Sequence, residues 1–283
     1  MKHQLLFQPA QGDPITTTSL LRDLRHVGAA DCEVLFIHSG LHMGVPNPAL
    51  GRKGLLTEIW SVFQTLDVPT LCVPTFTFSF PNGRDYDVAK SPTRMGALNE
   101  FVRQLPEAHR SVDPIMSVAL TGRKTELVTR IGKYSCGPDS TYDLLHRRGG
   151  KVTFLFLGAR SYECFTFTHY VEAQMKVPFR YHRPFTGRII QAGRTWEATY
   201  FHFARYNDVR PATGDKLERY LEATRRIRKQ RLGDSWLSAV DEPAGYAAMS
   251  ECLEKDPFYL AARRYAPEEL HDTQFLEKDI VAL

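Results

Sequence analysis

Through the first 175 residues, short all-apolar runs alternate with segments whose apolar positions recur every three to four residues. The first pattern is that of strands buried on both faces, the second that of amphipathic helices. Residues 33–37 (EVLFI), 70–73, 116–120 and 152–157 (VTFLFL) are accordingly expected to be central strands. Residues 17–27, 54–66, 96–105, 124–131 and 140–147 are expected to be helices, with Leu55, Ile59, Val62 and Phe63 forming the apolar stripe of the second. Such alternation predicts an α/β fold with a mostly parallel or mixed β-sheet flanked by helices.

The pattern changes over residues 185–205, where RII, then QAGR, then TWEATYFHF in period-two alternation predict an antiparallel hairpin added to the sheet edge. Beyond it, residues 214–231, 243–253 and 259–265 have helical spacing and a polar tail starts at Ala266, so a helical C-terminal region is expected. No linker-like stretch divides the chain. Residues 1–283 therefore read as one domain, with 185–283 supplying the hairpin and the helical part.

Composition narrows the class. The chain is 43% hydrophobic and 24% charged over 283 residues, which is ordinary for a globular protein with a sizeable core. It has no apolar run long enough to span a membrane, and its N-terminus lacks a signal-peptide pattern, so a cytosolic, membrane-free protein is expected. Five scattered cysteines without a CxxC pair suggest neither a disulfide framework nor a zinc site. The net charge of +4 favours an anionic ligand such as a CoA phosphate or a nucleotide-linked sugar. The basic run RRIRKQR at 225–231 has no interleaved aromatics and reads as a solvated helix face rather than a nucleic-acid surface. GRKG at 51–54 is too short for a P-loop and no GxGxxG follows a strand, which disfavours triphosphate and dinucleotide chemistry.

The strongest local signal is TFTHYVE at 166–172, just after VTFLFL, with Thr168 in position to cap a helix. On that helix His169 and Glu172 stand at i and i+3, on one face and at the carboxyl end of a central strand, where open α/β sheets place their ligands. A carboxylate beside an imidazole fixes its tautomer and makes a general base near neutral pH. The same spacing also fits a structural histidine beside an exposed glutamate, or half of a metal site lacking further ligands. His38, Ser39 and Gly40 follow the first strand at an equivalent strand end, and a turn there can receive a thioester or phosphate. Ser39 lacks the GxSxG elbow of a nucleophilic serine. Thr75 and Thr77 follow the second strand; Asp85 and Asp87, on the next polar loop, are candidates for holding a substrate ammonium or are simply solvated. Arg110 offers a forked donor for a phosphate or a carboxylate.

In order, these motifs resemble the aminoglycoside 3-N-acetyltransferase family. The resemblance rests on IHSGL at 37–41, VPTFTFS at 73–79, SPTRMGALNEFVR at 91–103, RSVDPIMSV at 110–118, CGPDSTYDLL at 136–145 and THYVE at 168–172, and it covers about half of the chain. It implies an α/β fold with a mixed central β-sheet, acetyl-CoA or another acyl-CoA as donor, direct transfer to the amine of a small molecule, and no metal. It implies His169 as general base, Glu172 as its partner and Thr166 near the reacting acyl group, with backbone amides and Thr166 receiving the oxyanion. It further implies CoA contacts from His38, Ser39, Gly40, Thr75, Thr77, Arg110 and Ser111.

The chain departs from the family's pattern at Gly40, which replaces a serine, and at Asp113, which replaces a frequent histidine; the segment before His169 is aromatic rather than rich in Asp and Asn. With the net basic charge, these departures turn the expected acceptor from a polycation toward an amino sugar, nucleotide-linked and used in surface polysaccharide. The alternatives are an aminoglycoside resistance enzyme, a longer or hydroxylated acyl donor, a hydrolase using Ser39 or a cysteine with His169, and a silent CoA-binding relative. A homodimer is compatible with this reading.

Overall fold

The computed structural model describes residues 3–270. In chain order it contains β1 (Leu5–Gln8), β2 (Ile15–Thr16), α1 (Thr17–His26), β3 (Val34–Ser39), β4 (Val45–Pro46), α2 (Gly51–Gln64), β5 (Thr70–Pro74), β6 (Tyr86–Asp87), α3 (Ala97–Arg103), β7 (His109–Arg110) and β8 (Val118–Gly122). Then follow α4 (Glu126–Thr129), α5 (Thr141–His146), β9 (Val152–Leu157), α6 (Ser161–Cys164), α7 (Thr168–Gln174), β10 (Arg180–Gln191), β11 (Arg194–Arg205), α8 (Lys216–Ala223), β12 (Arg228–Leu232), β13 (Ser235–Asp241) and α9 (Glu242–Lys255).

The central sheet has seven strands in the order β12-β13-β9-β3-β5-β8-β7. Its middle, β9-β3-β5, is parallel, and its flanks are antiparallel. Successive residues of a strand face opposite sides, and the core divides accordingly. Val34, Phe36, Phe154 and Phe156 join one apolar cluster, while Leu35, Ile37, Leu155 and Leu157 join the other. Helices α1, α2 and α3 cover the second face through Leu20, Leu24, Ile59, Trp60 and Val102. The first face is covered by α5, α7, α8, α9 and the long hairpin, through Tyr142, Val171, Leu221, Met249 and Phe203. Each such side chain, fully withdrawn from water, contributes about 1.5–3 kcal/mol.

Three expectations are corrected. The hairpin β10–β11 does form, around Ala192 and Gly193 at φ 48° and 78°, the pair of positive φ values that a two-residue turn between twisted strands requires. It pairs with β6 in a sheet of its own and does not extend the central one. The C-terminal part is only partly helical. Residues 214–231 leave the helix after Ala223, turn at Arg225 with φ 56°, and enter β12, so the basic run becomes a charged edge strand followed by β13. Residues 259–265 form turns rather than a helix. The expected tail begins with a single 3-10 turn at Pro267–Glu269, and its remainder from residue 271 lies outside the described residues. Among the described residues, no helix is long and apolar enough to cross a membrane.

Candidate active site

The carboxyl ends of β3 and β9 lie side by side, with His38 opposite Phe156 and Ser39 opposite Leu157. The chain then turns at Gly40 and Gly158, whose backbones pack directly on each other. Gly40 N donates to Leu157 O at 2.9 Å. A Cβ on Gly158, itself at φ 63°, would stand 2.0 Å from Gly40 O, and one on Gly40 would stand 3.0 Å from Gly158 O. Close approach explains the glycine at position 40 where the family has a serine. The turn at Gly158 leads into α6 and then α7, which lies over the strand ends.

Helix α7 presents His169 and Glu172 on one face, as their spacing requires. His169 Nδ1 lies 3.6 Å from Glu172 Oε2, close but beyond hydrogen-bond distance. The carboxylate is nearly sealed, at 3% exposure, while 21% of the imidazole remains open. Arg180, the first residue of β10, places Nη2 2.8 Å from the same oxygen, and its Nη1 donates to Phe203 O at 3.0 Å. Burial alone would push the Glu172 carboxyl up; the Arg180 guanidinium outweighs it, helped by His169, and holds the group ionised below its ordinary range. Burial pushes the His169 imidazolium down, more than Glu172 pulls it back. The side chain is therefore neutral at pH 7, with Nδ1–H toward the carboxylate and the Nε2 lone pair free to take a proton.

His202 of β11 flanks the pair, its ring 6.0 Å from that of His169 in an edge-on arrangement. Its Nδ1 lies 3.4 Å from Cys136 Sγ. Burial, then the neighbouring His169 and Arg180, hold its imidazolium well below the ordinary range. Burial also raises the Cys136 thiol. A buried neutral thiol is a poor nucleophile.

Thr166 and His38, predicted from separate motifs, meet. Thr166 N donates to His38 Nε2 at 3.3 Å, which makes that nitrogen an acceptor, and Thr166 Oγ1 stands 2.9 Å from it. Tyr142 Oη donates to Thr166 Oγ1 at 3.0 Å. The single Thr166 hydroxyl proton is thus directed at His38, so the hydroxyl has none to spare for an oxyanion. His38 stacks on Phe156 at 4.9 Å, and burial lowers its pKa to about 3.

The remaining predicted residues lie apart from His169 and hold loops together. Ser39 Oγ donates to Asn99 Oδ1 at 3.0 Å. Thr75 receives Arg110 on both its hydroxyl and its carbonyl, and Thr77 bonds Ser79. Arg110 also donates to the carbonyls of Val88 and Ser91, and its guanidinium sits 5.1 Å above the Tyr86 ring. It has no carboxylate partner among the described residues, and it lines a groove of about 500 Å³ with Arg103 and His109. Ser111 Oγ accepts from Val118 N. Asp85 is paired with Arg188, and Asp87 caps its own loop at Ala89 and Lys90. Asp113 accepts from Ile115 N, Met116 N and Ser135 Oγ. Among the described residues, no three metal-ligating side chains gather. Arg180, His202 and Tyr142 were not singled out in the sequence; they come from separate segments, and tertiary packing brings them to the site.

The sequence profile of the aminoglycoside 3-N-acetyltransferase family matches residues 59–254, a span that includes His169, Glu172 and Arg180. Aminoglycoside N(3)-acetyltransferase VII of Streptomyces paromomycinus is 27% identical over 205 residues, covering 65% of this chain and 69% of that protein. Among solved structures, AAC-IIIb in its binary complex with CoASH superposes with a TM-score of 0.71 at 21% identity, covering 85% of this chain and 97% of that one. The YokD protein of Bacillus subtilis superposes with a TM-score of 0.70 at 18% identity, covering 87% and 96%. At such identities the superpositions establish the α/β fold with its mixed central sheet.

Proposed function

The chain belongs to the aminoglycoside 3-N-acetyltransferase family, and from that premise we propose that it transfers an acyl group from acetyl-CoA to an amino group of an aminoglycoside-type amino sugar, with His169 as general base. The observation that carries the mechanism is the partly open His169 imidazole, neutral at pH 7, beside a sealed Glu172 that Arg180 keeps ionised. The attacking amine loses its proton to His169 Nε2 as the N–C bond forms and the C–S bond breaks. The proton then passes to the departing sulfur. Glu172 stabilises the imidazolium formed between the two events, and Arg180 positions Glu172. Thr166 positions the turn before α7 through His38. No enzyme-bound acyl group is required, and Ser39 and Cys136 make no contact with His169 that would support one.

The acceptor comes from the family and from the Streptomyces relative, both named for aminoglycosides. They favour that acceptor over the surface-polysaccharide sugar that the sequence put first. The donor is suggested by the CoASH complex of AAC-IIIb and by Arg110, a cation without a carboxylate partner among the described residues, lining a groove that suits an anionic nucleotide. Calorimetric titration with acetyl-CoA, CoA and ATP tests the reading. Micromolar binding confined to the CoA species, with thiol release only when an amino sugar is added, is expected. Failure to bind either CoA species overturns it.

A further inference from the structure

Arg180 and Arg205 stand directly opposite each other in the β10–β11 ladder. Directly opposed residues of an antiparallel pair project from the same face, and like charges so placed repel. Arg180 is compensated by Glu172. Arg205 is half-buried and its side chain has neither a hydrogen bond nor an ion pair among the described residues, although its charge is felt by both His169 and Glu172. A second donor is also unused: Arg180 Nε is buried without a partner, on a side chain 6% exposed. One carboxylate therefore faces two guanidinium groups beside the catalytic imidazole.

Two nearby acids are already engaged elsewhere. Asp113, on the Cys136 side, is taken up by two backbone amides and Ser135. Asp143, on the α7 side, accepts from Tyr170 and pairs with Arg147. Burial, and then Arg180, lower the Arg205 pKa to about 10, as expected of a cation held without its counter-charge. An oxyanion finds unused donors here, of the kind that bind carboxylate or phosphate in a fork.

We propose that Arg205, with Arg180 Nε, forms a subsite for an oxyanion on the acceptor, so that the preferred substrate is an amino sugar that also bears a carboxylate or a phosphate ester. The proposal rests on His169 marking the acceptor end of the site. It is tested by comparing glucosamine with glucosamine 6-phosphate and with its uronic acid counterpart in acetyl-CoA-dependent thiol release. The wild type is expected to prefer an acidic acceptor in kcat/KM. Arg205→Gln should reduce that preference by about 10-fold to 100-fold, the loss of one charge-assisted contact, and Arg205→Lys should keep part of it. The response to phosphate against carboxylate tells which oxyanion the subsite takes. A preference unchanged in Arg205→Gln overturns the proposal.

Inorganic sulfate supplies a readout that needs no turnover. It should raise the Tm of the wild type and not that of Arg205→Gln, and where turnover is found it should compete with the acceptor. Competition with acetyl-CoA instead would assign the anion to the donor's phosphates and overturn the proposal. An Arg205-dependent sulfate shift in a protein that acylates no amine would sustain the anion subsite while defeating the acyltransfer reading.

Discussion

Replacing Arg180 by methionine should expose how much the site depends on one buried ion pair. Glu172 and Arg180 are 3% and 6% exposed and stand 2.8 Å apart. At an effective dielectric near 20, the gross attraction at that distance is about 6 kcal/mol. Much of this offsets the desolvation of the two charges, but removing one partner leaves the other buried and unpaired, which costs about 3–5 kcal/mol. Arg205 supplies some residual positive potential and moves the expectation toward the lower figure. The penalty has a characteristic pH dependence. In the wild type the Glu172 pKa is lowered, so its contribution is present above the unfolded carboxyl value and is lost as pH falls through the folded one. In Arg180→Met burial becomes the dominant influence, the pKa rises, and the carboxyl destabilises the fold increasingly above its unfolded value. The gap between the proteins should therefore be widest at pH 8 and narrow toward pH 4.5. Urea denaturation at both values measures it. Adding Glu172→Gln to Arg180→Met should recover part of the loss at pH 8. A gap below about 1 kcal/mol, or one independent of pH apart from the lost bond to Phe203 O, refutes the reasoning.

Two further outcomes follow from the same geometry. The acid limb of kcat/KM should have its midpoint below 6.5, because burial lowers the His169 pKa and the neutral imidazole is the active form; a midpoint above 7 in a pH-rate series would contradict that assignment. Gly158→Ala should lower stability by about 2 kcal/mol or more in thermal or urea unfolding, since φ 63° and a Cβ 2.0 Å from Gly40 O are both untenable, while a variant as stable as the wild type would show that the turn moves freely.

What the sequence disclosed depended on how local the determining interactions are. VTFLFL is apolar at every position, a pattern that suits a strand covered on both faces, and β9 occupies those residues from Val152 to Leu157. The pairing of His169 with Glu172 was legible because three residues along one helix fix it. Arg180 was not, because nothing within its own segment distinguishes it; the start of β10 carries it to α7. The basic run misled for a physical reason. As edge strand β12 it has charged side chains that discourage further pairing, with Arg228 bound to Asp241 and Lys229 to Glu218, and in sequence this looks like a solvated helix face. The partners of Thr166 were hidden for the same reason. Its hydroxyl is engaged by His38, 128 residues away in the chain, and by Tyr142, neither of which is visible from the motif.

The most direct test is acyl transfer by His169→Ala, assayed as CoA thiol release from acetyl-CoA with an amino-sugar acceptor, alongside urea unfolding and acetyl-CoA titration of the same preparation. Loss of about 100-fold or more in kcat, with the fold and CoA binding retained, is predicted, since general-base steps contribute about 10²–10⁴. Turnover within a few-fold of wild type in a folded variant would contradict the account, because His169 is the group it assigns to take the amine's proton.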